Sequence, residues 1–87
     1  MKTMTYFLLP TCPYCREADR YIAQVVAEEP ELGEIHIKRV NEQQEAAYAD
    51  SFDYYYVPAF YLQGKKLHEG AVTREQVLAA LREVYQS

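Results

Sequence analysis

The chain has 87 residues and a formal net charge of −4; 49% of its residues are hydrophobic and 25% are charged. This balance is typical of a folded globular chain and excludes a disordered or fibrous one. The length is sufficient for only one hydrophobic core, so we expect a single domain over residues 1–87. The acidic charge argues against nucleic acid as a partner, since nucleic-acid-binding proteins concentrate Lys and Arg on one face.

The first predicted element is a strand over residues 4–9. This run is apolar and β-branched until Pro10, a pattern typical of a strand buried on both faces and therefore central in its sheet. The apolar stretch over residues 6–9 is too short for a signal-peptide core or a membrane span. We therefore expect a cytoplasmic protein without a membrane partner.

A helix and a second strand follow. Apolar side chains recur every three or four residues after the first strand, as on one buried face of a helix, and residues 30–33 contain the Pro and Gly that end it. Residues 34–40 then alternate, with Ile35 and Ile37 on one side and polar residues on the other. This alternation predicts a strand with one wetter face.

A short second helix is predicted over residues 42–48. Asn41 can cap it, Gln44 lies three residues later at capping-box spacing, and the segment lacks Gly and Pro. Residues 51–56 then form a connecting loop.

A β-hairpin and a third helix complete the chain. Residues 59–62 and 66–68 read as strands that flank a tight turn at residues 63–65. Thr73 and Gln76 have capping-box spacing before an apolar helical stripe. The order βαβαββα predicts an α/β fold with a four-stranded mixed sheet, in which the first two strands are parallel, the hairpin is antiparallel and three helices cover the faces.

The two cysteines lie in the segment Cys12-Pro13-Tyr14-Cys15, where the first strand ends and the first helix begins. Cys12 is expected at the helix cap, where free backbone N–H groups, the helix dipole and the nearby Arg16 favour its thiolate. Pro13 suits the first turn of the helix, because a backbone N–H there has no acceptor within the helix and its absence from proline costs nothing. Cys15 follows one turn later, less exposed and within reach of Cys12. We therefore predict Cys12 as the nucleophile, Cys15 as the resolving thiol and the exposed Tyr14 as a substrate contact.

A zinc site is the main alternative for this pair. Structural zinc needs four ligands, and the sequence has no second cysteine pair. The only two histidines, His36 and His68, fall on different predicted strands, where we expect both on solvated faces. We therefore predict neither a metal site nor an inert pair of packed thiols.

The Cys-Pro-Tyr-Cys segment, the Tyr-Val-Pro at residues 56–58 and Gly70 resemble the glutaredoxins of the thioredoxin superfamily. The resemblance covers nearly the whole chain and implies a thioredoxin or glutaredoxin fold. It also implies that Pro58 is cis and packs beside the cysteines, and that the backbone of Val57 pairs with the substrate. The substrate-binding residues are then Pro13, Tyr14, Val57, Pro58 and Gly70. The implied activity is a thiol-disulfide oxidoreductase that reduces protein disulfides or glutathione mixed disulfides, with no tightly bound cofactor, glutathione as electron donor and a monomeric state.

Two departures from this family bear on the electron donor. Leu9 stands where glutaredoxins usually have a lysine for a glutathione carboxylate, and Arg74 stands where they have an aspartate for the glutathione amino group. We therefore expect weak glutathione binding. One alternative is an electron-donor redoxin that a flavin-dependent disulfide reductase recharges and that serves a specific enzyme. A further alternative is a glutathione-ligated iron-sulfur cluster held between two subunits.

Three consecutive tyrosines, Tyr54, Tyr55 and Tyr56, precede Pro58. They fit an aromatic wall that contacts a partner, since rigid amphipathic rings suit recognition surfaces. They fit packing in the core equally well. The sequence leaves both interpretations open.

Overall fold

The computed structural model describes residues 2–87. Four strands, three α-helices and one 3₁₀ helix follow in the order β1 (Thr3–Leu8), α1 (Pro13–Glu28), a 3₁₀ helix (Pro30–Glu34), β2 (His36–Asn41), α2 (Ala46–Asp50), β3 (Ala59–Leu62), β4 (Lys65–Glu69) and α3 (Arg74–Gln86).

The four strands form one mixed sheet in the order β2-β1-β3-β4. Strands β1 and β2 are parallel, and β3 runs antiparallel to both β1 and β4. Strand β1 therefore lies inside the sheet, as its unbroken apolar run predicts. The predicted α/β fold with a four-stranded mixed sheet and three helices is confirmed.

The helices divide between the two faces of the sheet according to the alternation along β1. Met4 and Tyr6 face α1 and α3 and are buried in one core cluster with Ile22 and Leu81. Phe7 points to the opposite face and packs in a second cluster that α2 covers; its buried members are Phe7, Val40, Ala49, Ala59 and Tyr61. Because side chains alternate along a strand, β1 supplies both cores.

The predicted start of the second helix is wrong. Helix α2 begins at Ala46, and Asn41 closes a turn at the end of β2 instead of capping a helix. The side-chain oxygen of Asn41 accepts a hydrogen bond from the N–H of Gln43 at 2.9 Å, and its main-chain carbonyl accepts from Gln44 and Glu45 at 3.1 and 2.9 Å. These bonds close a turn over residues 42–45, and α2 begins only after that turn.

The hairpin turn is tighter than predicted. It contains only Gln63 and Gly64, and Lys65 already belongs to β4. Gln63 has φ of 55°, in the left-handed region that two-residue hairpin turns require. Elsewhere, within residues 2–87, no helix is both long and apolar enough to cross a membrane.

Candidate active site

The segments that carry the predicted site residues lie together at one end of the sheet, where β1 and β2 end and β3 begins. Phe7 pairs with Ala59 on β3 and with Val40 on β2, so the chain leaves β1 and β2 and enters β3 at this end. The N–H of Gly70 donates to the carbonyl of Pro58 at 2.8 Å, which brings the end of β4 to the same place. The register therefore places the start of α1, the segment before β3 and Gly70 at one end of the sheet.

Cys12 caps the first turn of α1. Its backbone is extended, with φ of −81° and ψ of 121°, and Pro13 follows in the first turn. The Cys12 carbonyl accepts from the N–H groups of Cys15 and Arg16 at 3.1 and 3.2 Å, and its own N–H donates to the Leu9 carbonyl at 3.0 Å. The Cys12 side chain makes no capping hydrogen bond and is half-buried. Its sulfur therefore lies at the positive end of the helix dipole with a path to solvent.

Cys15 lies one turn inside the helix and is only 2% exposed. Burial raises the pKa of its thiol to about 11; a hydrogen bond from the Leu9 backbone opposes this shift, and the hydrogen bond to Cys12 and the Cys12 charge add to it. Both thiols are free. The arrangement thus combines an accessible sulfur on Cys12 with a buried, protonated one on Cys15, within hydrogen-bonding reach of each other.

The segment before β3 has the conformation that the family resemblance implies. The Val57–Pro58 peptide bond is cis, Pro58 is fully buried, and Val57 packs against the Phe7 cluster. Tyr14, between the cysteines, is 55% exposed and so open to a partner.

The three tyrosines before Val57 play different structural roles. Tyr54 stacks on Phe7, with ring centroids 4.8 Å apart, and donates to a Glu42 carboxylate oxygen at 2.7 Å. Tyr55 and Tyr56 are 84% and 69% exposed. Packing therefore accounts for Tyr54, and only the other two rings face solvent.

Residues 4–83 match the protein family described as the thioredoxin domain. This chain belongs to the thioredoxin domain family. The match covers every strand except the first residue of β1, and all but the last turn of α3. It includes both cysteines and the cis Pro58.

Solved structures agree with this assignment at the level of the fold. An uncharacterised thioredoxin-like protein from Clostridium perfringens is 24% identical with a TM-score of 0.70, over 97% of this chain and 71% of that one. The germline-specific thioredoxin Deadhead from Drosophila melanogaster is 9% identical with a TM-score of 0.69, over 94% and 79% of the two chains. A malarial protein is 14% identical with a TM-score of 0.69, over 94% of each chain. No curated protein sequence matches the chain.

Tyr6 is a residue of this thioredoxin domain for which the sequence predicts only a place in a strand. Its ring is fully buried, and its hydroxyl donates to the Cys15 carbonyl at 3.0 Å. Burial, and next the negative charge of Asp19, raise the pKa of Tyr6. The guanidinium of Arg39 lies 5.7 Å from the Tyr6 ring centroid and pairs with Asp19 at 3.1 Å. A tyrosine in a strand predicted to be buried on both faces was the available signal, because a buried hydroxyl needs a partner.

Arg74 does not lie where the family resemblance places it. Its guanidinium forms an ion pair with Glu28 in the last turn of α1, whereas Cys12 caps the first turn. A helix of 16 residues is about 24 Å long. Arg74 therefore does not supply charge beside the cysteines, and the prediction of weak glutathione binding rests on Leu9.

His68 also differs from its sequence-based placement. It pairs across the sheet with Phe60, whose side chain is buried on the face that α1 and α3 cover, so His68 points to that face and is half-buried. Its Nε2 lies 3.1 and 2.9 Å from the carbonyls of Gly70 and Ala71. His36 is exposed, as predicted. Residues 2–87 contain no group of three or more His, Cys, Asp and Glu side chains arranged to hold a metal ion.

Proposed function

We propose that this thioredoxin domain is a thiol-disulfide oxidoreductase that reduces disulfide bonds in polypeptides, with Cys12 as nucleophile and Cys15 as resolving thiol. One observation carries the proposal: a half-buried free thiol caps a helix, and a fully buried free thiol lies one turn behind it. The thiolate is the reacting species in disulfide exchange, and a helix N-terminus favours it.

The first step joins Cys12 to the substrate. The Cys12 thiolate attacks one sulfur of the substrate disulfide, a new S–S bond forms between them, and the old bond breaks. The other substrate sulfur leaves as a thiolate and takes up a proton from solvent. Tyr14, at the surface between the cysteines, contacts the substrate at this stage.

The second step releases the product. The Cys15 thiol loses its proton to solvent, and its thiolate attacks the Cys12 sulfur. The bond between Cys12 and the substrate breaks, the substrate sulfur leaves as a thiolate and takes up a proton, and a Cys12–Cys15 disulfide remains. Two electrons have then passed from the dithiol to the substrate. The charge of Cys12 is one of the causes that raise the pKa of Cys15, and the mixed disulfide removes that charge. The mixed disulfide therefore removes one of the causes that keep Cys15 protonated, while burial, the main cause, remains.

Mixed disulfides with glutathione are the second candidate substrate class. The Cys-Pro-Tyr-Cys segment favours it, while Leu9 offers no cation for a glutathione carboxylate. We therefore propose weak use of glutathione, with a flavin-dependent disulfide reductase as the alternative source of electrons. The exchange needs no resident cofactor, and we propose that it takes place in the cytoplasm on a monomer.

Insulin reduction with dithiothreitol as the terminal reductant tests the proposed function. The wild-type protein should accelerate insulin precipitation, and Cys12→Ser should abolish the effect. Cys15→Ser, reduced and then freed of dithiothreitol before it is mixed with insulin, should instead form a covalent adduct that mass spectrometry assigns to Cys12. If Cys12→Ser reduced insulin at the wild-type rate, the proposed mechanism would be wrong.

A further inference from the structure

Glu69, the last residue of β4, makes an unusual set of contacts with the loop before β3. Its Oε2 atom accepts hydrogen bonds from two consecutive backbone N–H groups, those of Tyr55 at 2.6 Å and Tyr56 at 3.1 Å. Its other oxygen, Oε1, accepts from Nζ of Lys66 at 2.7 Å. Both carboxylate oxygens are therefore used, and the Glu69 side chain is only 20% exposed.

The charge of Glu69 persists throughout the neutral range. The hydrogen bond from Lys66, followed by that from the Tyr55 backbone, lowers the pKa of Glu69 to about 2. Consecutive backbone N–H groups that point to one site form a concavity that favours an anion. In this protein the anion is an internal side chain, so the loop is held by the protein's own charge.

The loop at residues 51–58 contains no helix or strand, so its shape depends on such anchors. Tyr54 fixes its middle through the hydrogen bond to Glu42, and the hydroxyl of Tyr61 donates to the carbonyl of Asp53 at 2.5 Å. Neither anchor reaches the residues immediately before Pro58. Glu69 alone among the side chains of residues 2–87 bonds to the backbone of Tyr55 and Tyr56.

Val57 is held from both sides. Glu69 binds the N–H groups of the two residues before it, and Gly70, the next residue after Glu69, donates to the carbonyl of Pro58 after it. Val57 lies in the loop before β3. Within residues 2–87, neither its N–H nor its C=O makes a hydrogen bond to another backbone group. These two groups are therefore free and fixed in direction, which suits them to pair with an extended peptide.

We propose that Glu69 is a positioning residue for polypeptide substrates. Its carboxylate fixes Tyr55 and Tyr56 and thereby aligns the free main-chain groups of Val57 for a peptide that carries a disulfide to Cys12. This inference rests on the proposed function. A small aromatic disulfide has no peptide backbone to pair with Val57, so its reduction depends on Cys12 and not on the loop.

Amide hydrogen exchange tests the anchoring step without any assay of activity. In the wild-type protein, the N–H groups of Tyr55 and Tyr56 should be protected. In Glu69→Ala, both should exchange about tenfold faster or more, since loss of the acceptor exposes them to water. Glu83→Ala is the matched control: Glu83 also pairs with a lysine of β4, Lys65, but does not contact the loop, so the two amides should stay protected. Unchanged protection in Glu69→Ala overturns the proposal.

Kinetics test the role in substrate selection. We compare the rates of insulin reduction and of reduction of dithionitrobenzoate, a small aromatic disulfide. In Glu69→Ala the ratio of the two kcat/KM values should fall about tenfold, mainly through KM for insulin, because displaced binding groups weaken an oriented complex. Glu69→Gln keeps an oxygen acceptor without the charge and should give an intermediate ratio. Glu83→Ala should keep the wild-type ratio.

The outcomes separate this proposal from the proposed function. Wild-type protein that reduces neither disulfide disproves the proposed function, and the amide exchange result then decides the anchoring by itself. Wild-type activity with an unchanged ratio in both Glu69 variants disproves the positioning role alone. If Glu69→Ala does not fold, Glu69→Gln provides the same two readouts. An equal fall in both rates would assign Glu69 a purely structural role and also overturn the proposal.

Discussion

The hydroxyl of Tyr6, in the middle of the central strand, donates a 3.0 Å hydrogen bond to the main-chain carbonyl of Cys15. The bond is fully buried and joins the sheet to the first turn of α1, where both cysteines lie. The two partners are nine positions apart in the sequence. The position of the Cys12-to-Cys15 turn on the sheet therefore depends partly on a side chain that takes no part in the disulfide exchange.

Tyr6→Phe should lower the free energy of unfolding by about 0.5–1.5 kcal/mol, the net contribution of a typical buried hydrogen bond. Phe keeps the ring and its edge-on contact with Phe60, whose centroid is 5.2 Å away, so the change isolates the hydroxyl. Urea denaturation of the reduced protein measures the difference. Tyr14→Phe, at an exposed ring, is the control and should leave stability unchanged. Equal stability of Tyr6→Phe and the wild-type protein would show that the hydrogen bond makes no net contribution to the free energy of unfolding.

Brief treatment with iodoacetamide near neutral pH should label Cys12 and spare Cys15. With its pKa raised to about 11, Cys15 has only about one thiolate in ten thousand molecules at pH 7, and its sulfur is buried. Peptide mapping by mass spectrometry gives the labelled fraction of each thiol. Preferential labelling of Cys15 would reverse the two assigned roles.

Stability of the reduced protein should fall as the pH rises above about 9. Burial is the main cause that raises the pKa of Cys15 from its ordinary value of 9.0 to about 11 in the folded protein. Between these values the unfolded chain has lost a proton that the folded state retains, so unfolding becomes more favourable with rising pH. The contribution is fully present below pH 9 and is lost as the pH rises through 11.

Cys15→Ala removes this contribution and should flatten the decline over the same range. Urea midpoints of the reduced wild-type and variant proteins between pH 8 and 11 make the comparison. The remaining slope should come from Tyr6, Tyr54 and Tyr61, whose pKa values burial also raises. A steeper decline in Cys15→Ala would contradict the assigned direction of the Cys15 shift.

Leu9→Lys should increase the rate at which glutathione reduces a glutathionylated peptide. An ammonium at this position can form a charge-assisted hydrogen bond to a glutathione carboxylate, which contributes about 1.5–3 kcal/mol, or about tenfold or more in affinity. A coupled assay with glutathione reductase measures the rate. Arg74→Ala is the control, because Arg74 pairs with Glu28 at the other end of α1, and should leave the rate unchanged. If Leu9→Lys had no effect, other residues would already bind the carboxylate or the substrate would be another class of disulfide.

Much of the fold could be predicted because the relevant signals are local. The run over residues 4–9 identified the central strand, and the capping box of Thr73 and Gln76 marked the start of α3 within one residue. The position of Cys12 at a strand-to-helix junction indicated its place at the helix cap, which the structure shows. Each of these signals depends on residues within one or two turns of each other, where hydrogen-bonding and burial preferences act directly.

The departures arise where a local preference competes with another contact. Asn41 has the features of a helix cap, yet its side chain closes a turn at the end of β2. His68 belongs to a strand that looks solvated, yet its partner across the sheet is the buried Phe60. Arg74 stands where glutaredoxins have an aspartate near the cysteines, yet its guanidinium pairs with Glu28 at the far end of α1.

The sequence by itself determined the order of the elements, the central strand and the pair of thiols at the start of a helix, because these follow from hydrophobic period, capping residues and a spacing of three. Only the tertiary structure decided which groups surround the thiols and the loop before β3. The Tyr6 bond to Cys15 and the Glu69 bonds to Tyr55 and Tyr56 join residues 9, 14 and 13 positions apart. A hydrogen bond between distant residues depends on strand register and on the direction of each side chain, and neither is written in the local pattern of the chain.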